Sequence, residues 1–276
     1  MDSFPALFKY FTPSAQAFFS GNLRNLVDFN NDDDEMGHLH IFQGGQLTVT
    51  CNDREPLQLT QPAMLVMPRN LSHRFIPDPI KGADMICAKI KLGSGDNNPF
   101  MLGLPDILII PFDQAGAVAP TLDLMVAEAF AAHYGRQIAL DRLFEYLILQ
   151  IIRHVIDKGL VSSGLLNALA EPRLARVINV IYEKPEQLWT LDDLAALAGM
   201  SRNAFARHFR AILGTTPMAY LTRWRMAIVQ NILRKGGTIK SATSAVGYDS
   251  AAALSRSFTK IIGASPRQWL AQQDID

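Results

Sequence analysis

The sequence predicts a two-domain protein of mixed class. An N-terminal all-β barrel with a pair of helices precedes a C-terminal all-α domain made of two helix-turn-helix units. Three observations predict it. Short apolar runs broken by Pro, Asn, Asp and Gly fill roughly the first ~110 residues. Helical periodicity takes over from Thr121 onward. A stretch near the end, SRNAFARHFRAILGTTP (Ser201–Pro217), returns as SAAALSRSFTKIIGASP (Ser250–Pro266), with seven identical positions.

In the N-terminal part, HLHIFQ (His38–Gln43), a Gly44-Gly45 turn and QLTVTC (Gln46–Cys51) read as a hairpin. LQL (Leu57–Leu59), AMLVMP (Ala63–Pro68), HRFI (His73–Ile76) and MICAKIKL (Met85–Leu92) follow as further strands. Many short strands at this spacing suggest a small barrel or sandwich.

Thr121–Tyr134 then places Leu122, Met125, Ala129 and Ala132 at helical spacing. In Ala139–Lys158 the apolar positions run from Leu140 through Phe144, Ile148 and Ile152 to Ile156, a wide face. It suits a helix packed on its own barrel, or one shared with a second subunit, and the width favours a homodimer. Gly159–Pro172, with Ser-Ser-Gly and Glu-Pro breaks, reads as a connection. The expected division is 1–115 for the barrel, 116–170 for dimerisation helices and linker, and 171–276 for the helical domain.

Each copy of the repeat follows a short amphipathic helix ending at a glycine, Gly199 in TLDDLAALAGM and Gly247 in TIKSATSAVGYD. Glycine suits the left-handed turn after a helix, and Ser201 or Asp249/Ser250 can cap the next helix. Helix, tight turn, second helix is a helix-turn-helix. In the first copy Phe205, Phe209, Ile212 and Leu213 share the face to be buried, opposite Arg202, Asn203, Ala206, Arg207 and Arg210. In the second, Leu254, Phe258, Ile261 and Ile262 bury, leaving Ala251, Ala252, Ser255, Arg256 and Thr259 outside. Arg to guanine and Asn to adenine are the favourable major-groove pairings, while basic side chains at the edges hold phosphates.

Charge supports this reading. Lys+Arg and Asp+Glu balance at 26 each, yet residues 171–276 hold 14 basic against 8 acidic side chains. The basic half suits a polyanion. No apolar run approaches the ~18 residues of a membrane span. The N-terminus MDSFPALFKYFTPSAQ has no basic start or cleavage site of a signal peptide. Cys51 and Cys87 are too few for a disulfide scaffold. A cytoplasmic chain with no membrane partner is expected.

Residues 173–272 resemble the DNA-binding domain of the AraC/XylS family of bacterial transcription regulators. The resemblance rests on the doubled unit, on the GY of AVGYD and on the terminal GASPRQW. It implies that the long helix Pro217–Lys235 joins the two units, so one chain reads adjacent major-groove segments of promoter DNA. Base contacts would then come from Asn203, Ala206 and Arg207, and from Ala251, Ala252 and Arg256. Ala251 and Ala252 offer only methyl groups, so the first copy is expected to do most of the reading.

GHLH (Gly37–His40) and PRNLSH (Pro68–His73) resemble the two motifs of cupin barrels, and the whole N-terminal region resembles an AraC-type cupin sensor. That resemblance implies a small-molecule effector, a dimer, and RNA polymerase as a partner if the protein activates. It also makes His38, His40 and His73 a candidate effector or metal pocket, although Gly44 or Gly45 stands where the cupin glutamate would fall. Ordinary barrel histidines are the reading favoured by the residues alone, and no cofactor is expected. Cys87 is a candidate redox sensor, against the commoner case of a buried thiol acting as a small hydrophobe. The expected function is a sequence-specific DNA-binding regulator without catalytic activity. The alternative is a metal-dependent cupin enzyme fused to a DNA-binding domain.

Overall fold

In a computed structural model, residues 8, 12–29, 36–52, 54–92, 104–160 and 163–273 are described. Most of the segment MDSFPALFKY, read above as lacking a signal peptide, lies outside them. The chain divides into two compact units, one built on 13–93 with 103–161 and the other on 162–276. No helix among the described residues is long and apolar enough to cross a membrane.

Among the described residues, the first unit has nine strands: β1 (Ser14–Leu23), β2 (Val27–Phe29), β3 (Gly37–Gly45), β4 (Leu47–Thr50), β5 (Leu57–Leu59), β6 (Ala63–Met67), β7 (His73–Pro77), β8 (Ala83–Lys91) and β9 (Leu108–Pro111). They form two antiparallel sheets, ordered β1-β8-β3-β6-β9 and β2-β7-β4-β5. Inward side chains of both, among them Phe42, Leu47, Leu65, Met67, Phe75, Met85 and Cys87, make one core. β7 shows the period-2 rule plainly: His73, Phe75 and Pro77 are buried, while Arg74 and Ile76 are exposed.

The hairpin expected at Gly44-Gly45 does not form. β3 pairs with β6 and β8, and β4 pairs with β5 and β7, so the glycines carry the chain from one sheet to the other. Gly45 has φ +92°, and a Cβ there would collide with the Gly82 backbone. The glycine pair signals a close backbone crossing rather than a two-residue turn.

Two helices complete this unit, α1 (Ala119–Phe130) and α2 (Arg136–Asp157). α2 lies along β1 and against α1. The Asp141 carboxylate accepts from the Ala17 amide at 2.7 Å, fastening the helix to the strand. Leu140, Phe144, Leu147, Ile148, Ile151, Ile152 and Val155 are all buried. The wide apolar face is therefore covered within the chain itself, in part by β1 and α1. Its width is not itself a sign of a partner.

The second unit is helical: α3 (Gly164–Ala170), α4 (Pro172–Glu183), α5 (Leu191–Leu197), α6 (Arg202–Leu213), α7 (Pro217–Arg234), α8 (Ile239–Ala245), α9 (Ala251–Ile262) and α10 (Pro266–Gln273). α5 to α9 fall where the repeated unit and the long joining helix place them. α3 does not: it occupies the stretch read as a bare connection and buries Leu165, Leu166 and Ala168, packing on α4 and α6. α7 crosses the unit, touching α5 and α6 of the first copy and α8, α9 and α10 of the second. Its Tyr220 ring stacks with Tyr182 of α4, Trp224 packs tilted against the same ring, and the two tyrosine hydroxyls share a hydrogen bond in the core.

Candidate DNA-binding surface and barrel pocket

Both helix-turn-helix copies open with the same local chemistry. The Asp193 amide donates to Thr190 Oγ1 at 3.1 Å, and the Thr190 amide returns a bond to the Asp193 carboxylate at 2.9 Å. Ser241 and Thr238 repeat this capping box at 3.1 Å in each direction. The turn glycines Gly199 and Gly247 have φ +64° and +67°. Ala195 and Thr243 are both buried, and the Thr243 hydroxyl is satisfied by donating to the Ile239 carbonyl at 2.7 Å.

α6 buries Phe205, Phe209 and Leu213 and exposes Arg202, Asn203, Arg207 and Arg210, with Ala206 half-buried between them. α9 buries Leu254 and Phe258 and exposes Ala251, Ala252, Arg256 and Thr259, with Ser255 half-buried. The outward faces thus carry the residues named from sequence. Ile261 is exposed and Ile212 only half-buried, because each helix seats on fewer apolar positions than periodicity suggested. Ser250 caps α9 through the Ala253 amide, whereas the Ser201 side chain makes no such bond. Arg202 stands 3.5 Å from Asp192, a solvent-exposed pair of small energetic weight. His208, on the flank of α6, meets the Glu171 carboxylate at 2.7 Å and ties α6 to the start of α4.

In the barrel, His38 and His40 are alternate residues of β3, so both point inward, and His73 comes from β7 of the facing sheet. All three are buried, and one ring nitrogen from each lies within 4.8 Å of the others. His40 Nε2 and His73 Nε2 are 3.0 Å apart. His73 Nδ1 donates to the Leu71 carbonyl at 2.7 Å, so its Nε2 carries the lone pair and accepts from His40 Nε2. His40 Nδ1 is buried with no hydrogen-bond partner.

Burial, and then the neighbouring His73 and His38, hold His40 well below the usual imidazole pKa. Burial also lowers His73, partly offset by its bond to Leu71. Both rings are therefore neutral at pH 7, the form that ligates metals. No acidic side chain joins this cluster among the described residues.

Aromatic rings wrap it. Phe29 stacks on His73 at 4.5 Å, Phe75 stands edge-on to His40 at 4.7 Å, and Phe18 approaches His38 at 6.2 Å. None of these was singled out from sequence. Phe75 could have been, since it lies two residues from His73 on the same strand face. Phe18 could not, because a register shift between Ala17 and Phe19 is what sets it apart from the ladder.

Cys87 pairs directly opposite His40 across β3 and β8 and is buried. Burial pushes its thiol far above the ordinary range. Cys51 is also buried, and burial raises it despite nearby Arg54. A redox sensor needs thiolate character and access. The position of Cys87 supplies neither, and the thiol fits the small-hydrophobe reading.

Comparison with known proteins follows the same division. Residues 2–157 match the family described as Cupin, and residues 194–272 match that described as Helix-turn-helix domain. A putative AraC-like transcription regulator of Streptomyces antibioticus is 31% identical over 256 residues, covering 82% of this chain and 84% of that protein. Its counterpart in Streptomyces lividans is 30% identical over 242 residues, covering 77% and 79%. The RCS-specific HTH-type transcriptional activator RclR of Escherichia coli K12 is 26% identical, covering 83% and 82%. With the doubled helix-turn-helix and the barrel ahead of it, the chain belongs to the AraC family of DNA-binding transcription regulators that carry an N-terminal cupin domain.

Proposed function

We propose that this regulator reads promoter DNA through the outer faces of α6 and α9 and responds to a transition-metal ion held by His38, His40 and His73. The observation that carries the effector reading is the convergence of three buried ring nitrogens within 4.8 Å. Neutral imidazoles without a carboxylate suit Zn, Ni, Cu or Fe rather than Mg or Ca. The partnerless His40 Nδ1 is consistent with a site whose hydrogen bonding is completed by a ligand. When bound, the ion supplies a positive charge that crosslinks β3 to β7. Phe75 and the half-buried Phe29 provide an aromatic surround that strengthens that charge's effects.

Metal content of the purified protein, calorimetric titration with Zn and Ni, and DNA affinity with and without chelator test this reading. Binding at micromolar or tighter, lost in His40→Ala, together with a DNA affinity that changes on loading, supports it. A protein that takes up neither metal refutes it. The enzyme alternative draws on the same cluster, but the relatives above are named as regulators. Metal-dependent turnover would be needed to revive it.

The reading includes a homodimer in the bacterial cytoplasm, with RNA polymerase as a partner if the protein activates. Support for self-association is the exposure of Leu124, Phe130, Tyr134 and Ile138 on α1 and α2 and the turn between them. A monomeric mass by light scattering at micromolar concentration would remove it.

A further inference from the structure

Arg225 of α7 connects pieces of both helix-turn-helix copies. Its Nε donates to the Pro185 carbonyl at 2.7 Å and its Nη2 to the Gln187 carbonyl at 2.8 Å. The guanidinium also lies 5.8 Å from the centre of the Tyr248 ring. Pro185 and Gln187 belong to the segment that leads into α5 of the first copy. Tyr248 belongs to the turn that leads into α9 of the second.

The same two segments meet directly. Gly247 sits so close to Glu186 that a Cβ would lie 2.6 Å from its carbonyl carbon and 2.8 Å from its Cα. The equivalent glycine of the first copy, Gly199, has nothing within 4 Å. The 184–189 segment is internally braced: the Trp189 indole donates to the Lys184 carbonyl at 3.0 Å, and the Trp189 amide to the Gln187 carbonyl at 2.8 Å. Tyr248 is braced on the other side, its hydroxyl 2.7 Å from Ser257 Oγ on α9. Arg225 thus stands between two stiff pieces, one fixed to each reading unit.

We infer that Arg225 is a positioning residue that sets the separation and angle of α6 and α9, so that the protein reads its two DNA segments at one fixed spacing. Only a planar guanidinium reaches two carbonyls and faces a ring at once; a lysine ammonium would keep the charge and lose the fork. Removing the tie would leave each helix able to dock, while making the gap between them adjustable. The inference rests on the proposal that both α6 and α9 enter DNA.

The test uses the full-length protein and the duplex that it selects from a randomised library. Affinity is measured on that duplex, on a version with the segment read by α9 scrambled, and on versions with one base pair inserted or deleted between segments. The wild type is expected to lose about tenfold or more on insertion. A wild type indifferent to both scrambling and insertion overturns the two-helix proposal, and this inference with it.

Arg225→Gln is expected to bind the intact duplex about tenfold more weakly, to bind the scrambled one like wild type, and to lose only about twofold on insertion. Equal losses on intact and scrambled duplexes, or a full insertion penalty, overturn the role of Arg225 while leaving two-helix reading intact. Should Arg225→Gln fail to fold, Tyr248→Leu, which keeps the carbonyl bonds, carries the test. A smaller insertion penalty than wild type supports the inference, and an unchanged one overturns it.

Discussion

Replacing each turn glycine by alanine separates a backbone effect from a contact effect, because the two positions share nearly the same φ. Gly199 is at +64° and Gly247 at +67°, but only Gly247 is pressed against another segment. An L-residue in this left-handed region costs about 1–2 kcal/mol, partly offset by a stiffer unfolded chain. Gly199→Ala should therefore cost about 1 kcal/mol net. At 247 the new Cβ would overlap the Glu186 carbonyl oxygen and sit 2.6–2.8 Å from its carbons, where ~3.5–4 Å is normal, so the 184–189 segment must retreat by more than about 1 Å. Overpacking of this kind costs about 1–3 kcal/mol, and weakening the Arg225 bonds adds a similar amount. The expected difference between the variants is thus about 2–6 kcal/mol.

The readout is built into the sequence. All three tryptophans, Trp189, Trp224 and Trp269, lie in the C-terminal unit, so tryptophan emission follows the melting of that unit in the intact protein. Gly199→Ala should lower Tm by about 5 °C and Gly247→Ala by well over ~10 °C. Coinciding melting temperatures would refute the claimed packing between the two copies.

Further outcomes are expected elsewhere. Arg207→Ala should cost about 1–3 kcal/mol of DNA affinity and relax specificity at one base pair, with Arg256→Ala costing less; the reverse order in fluorescence anisotropy would invert the ranking of the two copies. Metal-free protein should lose barrel stability on acidification. His40 and His73 titrate below the unfolded value of 6.5, so between folded and unfolded values the unfolded chain holds more protons. That stability is full above pH 6.5 and drains as pH falls through the lowered values, which circular-dichroism melts across this range would reveal. Thr190→Ala and Thr238→Ala should each cost about 1 kcal/mol through a lost capping box, read by the same tryptophan melt. Cys87 should resist iodoacetamide at about pH 8 in the folded protein and react after denaturation; rapid labelling of the native state would reopen the redox reading.

The helices of the two helix-turn-helix units were legible because they carry their own punctuation, which α3 lacks. A threonine cap, a stripe such as Phe205–Phe209–Leu213 and a closing glycine are local signals, and local signals are what a sequence displays. β1 escaped notice because SAQAFFSGNL has no consistent alternation, and a register shift disturbs its ladder. The Gly44-Gly45 misreading has the same origin, since sheet membership is decided by partners far away in the chain. In the barrel pocket, the motif spacing brought His38, His40 and His73 to attention, but the lowered pKa of His40 and His73 depends on burial that no spacing encodes. Arg225 was invisible as a tie, because its partners are backbone carbonyls about 40 residues away and a tyrosine that the motif pointed to for other reasons.

The small helix α3 decides where the gene can be cut. Leu165 and Leu166 are fully part of the helical core although they precede every recognisable helix-turn-helix feature. A fragment begun at Glu171, where charge and periodicity change, would strip these leucines from the seat on α4 and α6 and leave apolar surface bare. Begun at Ser163, the fragment keeps them, and with them the side of α6 on which His208 meets Glu171.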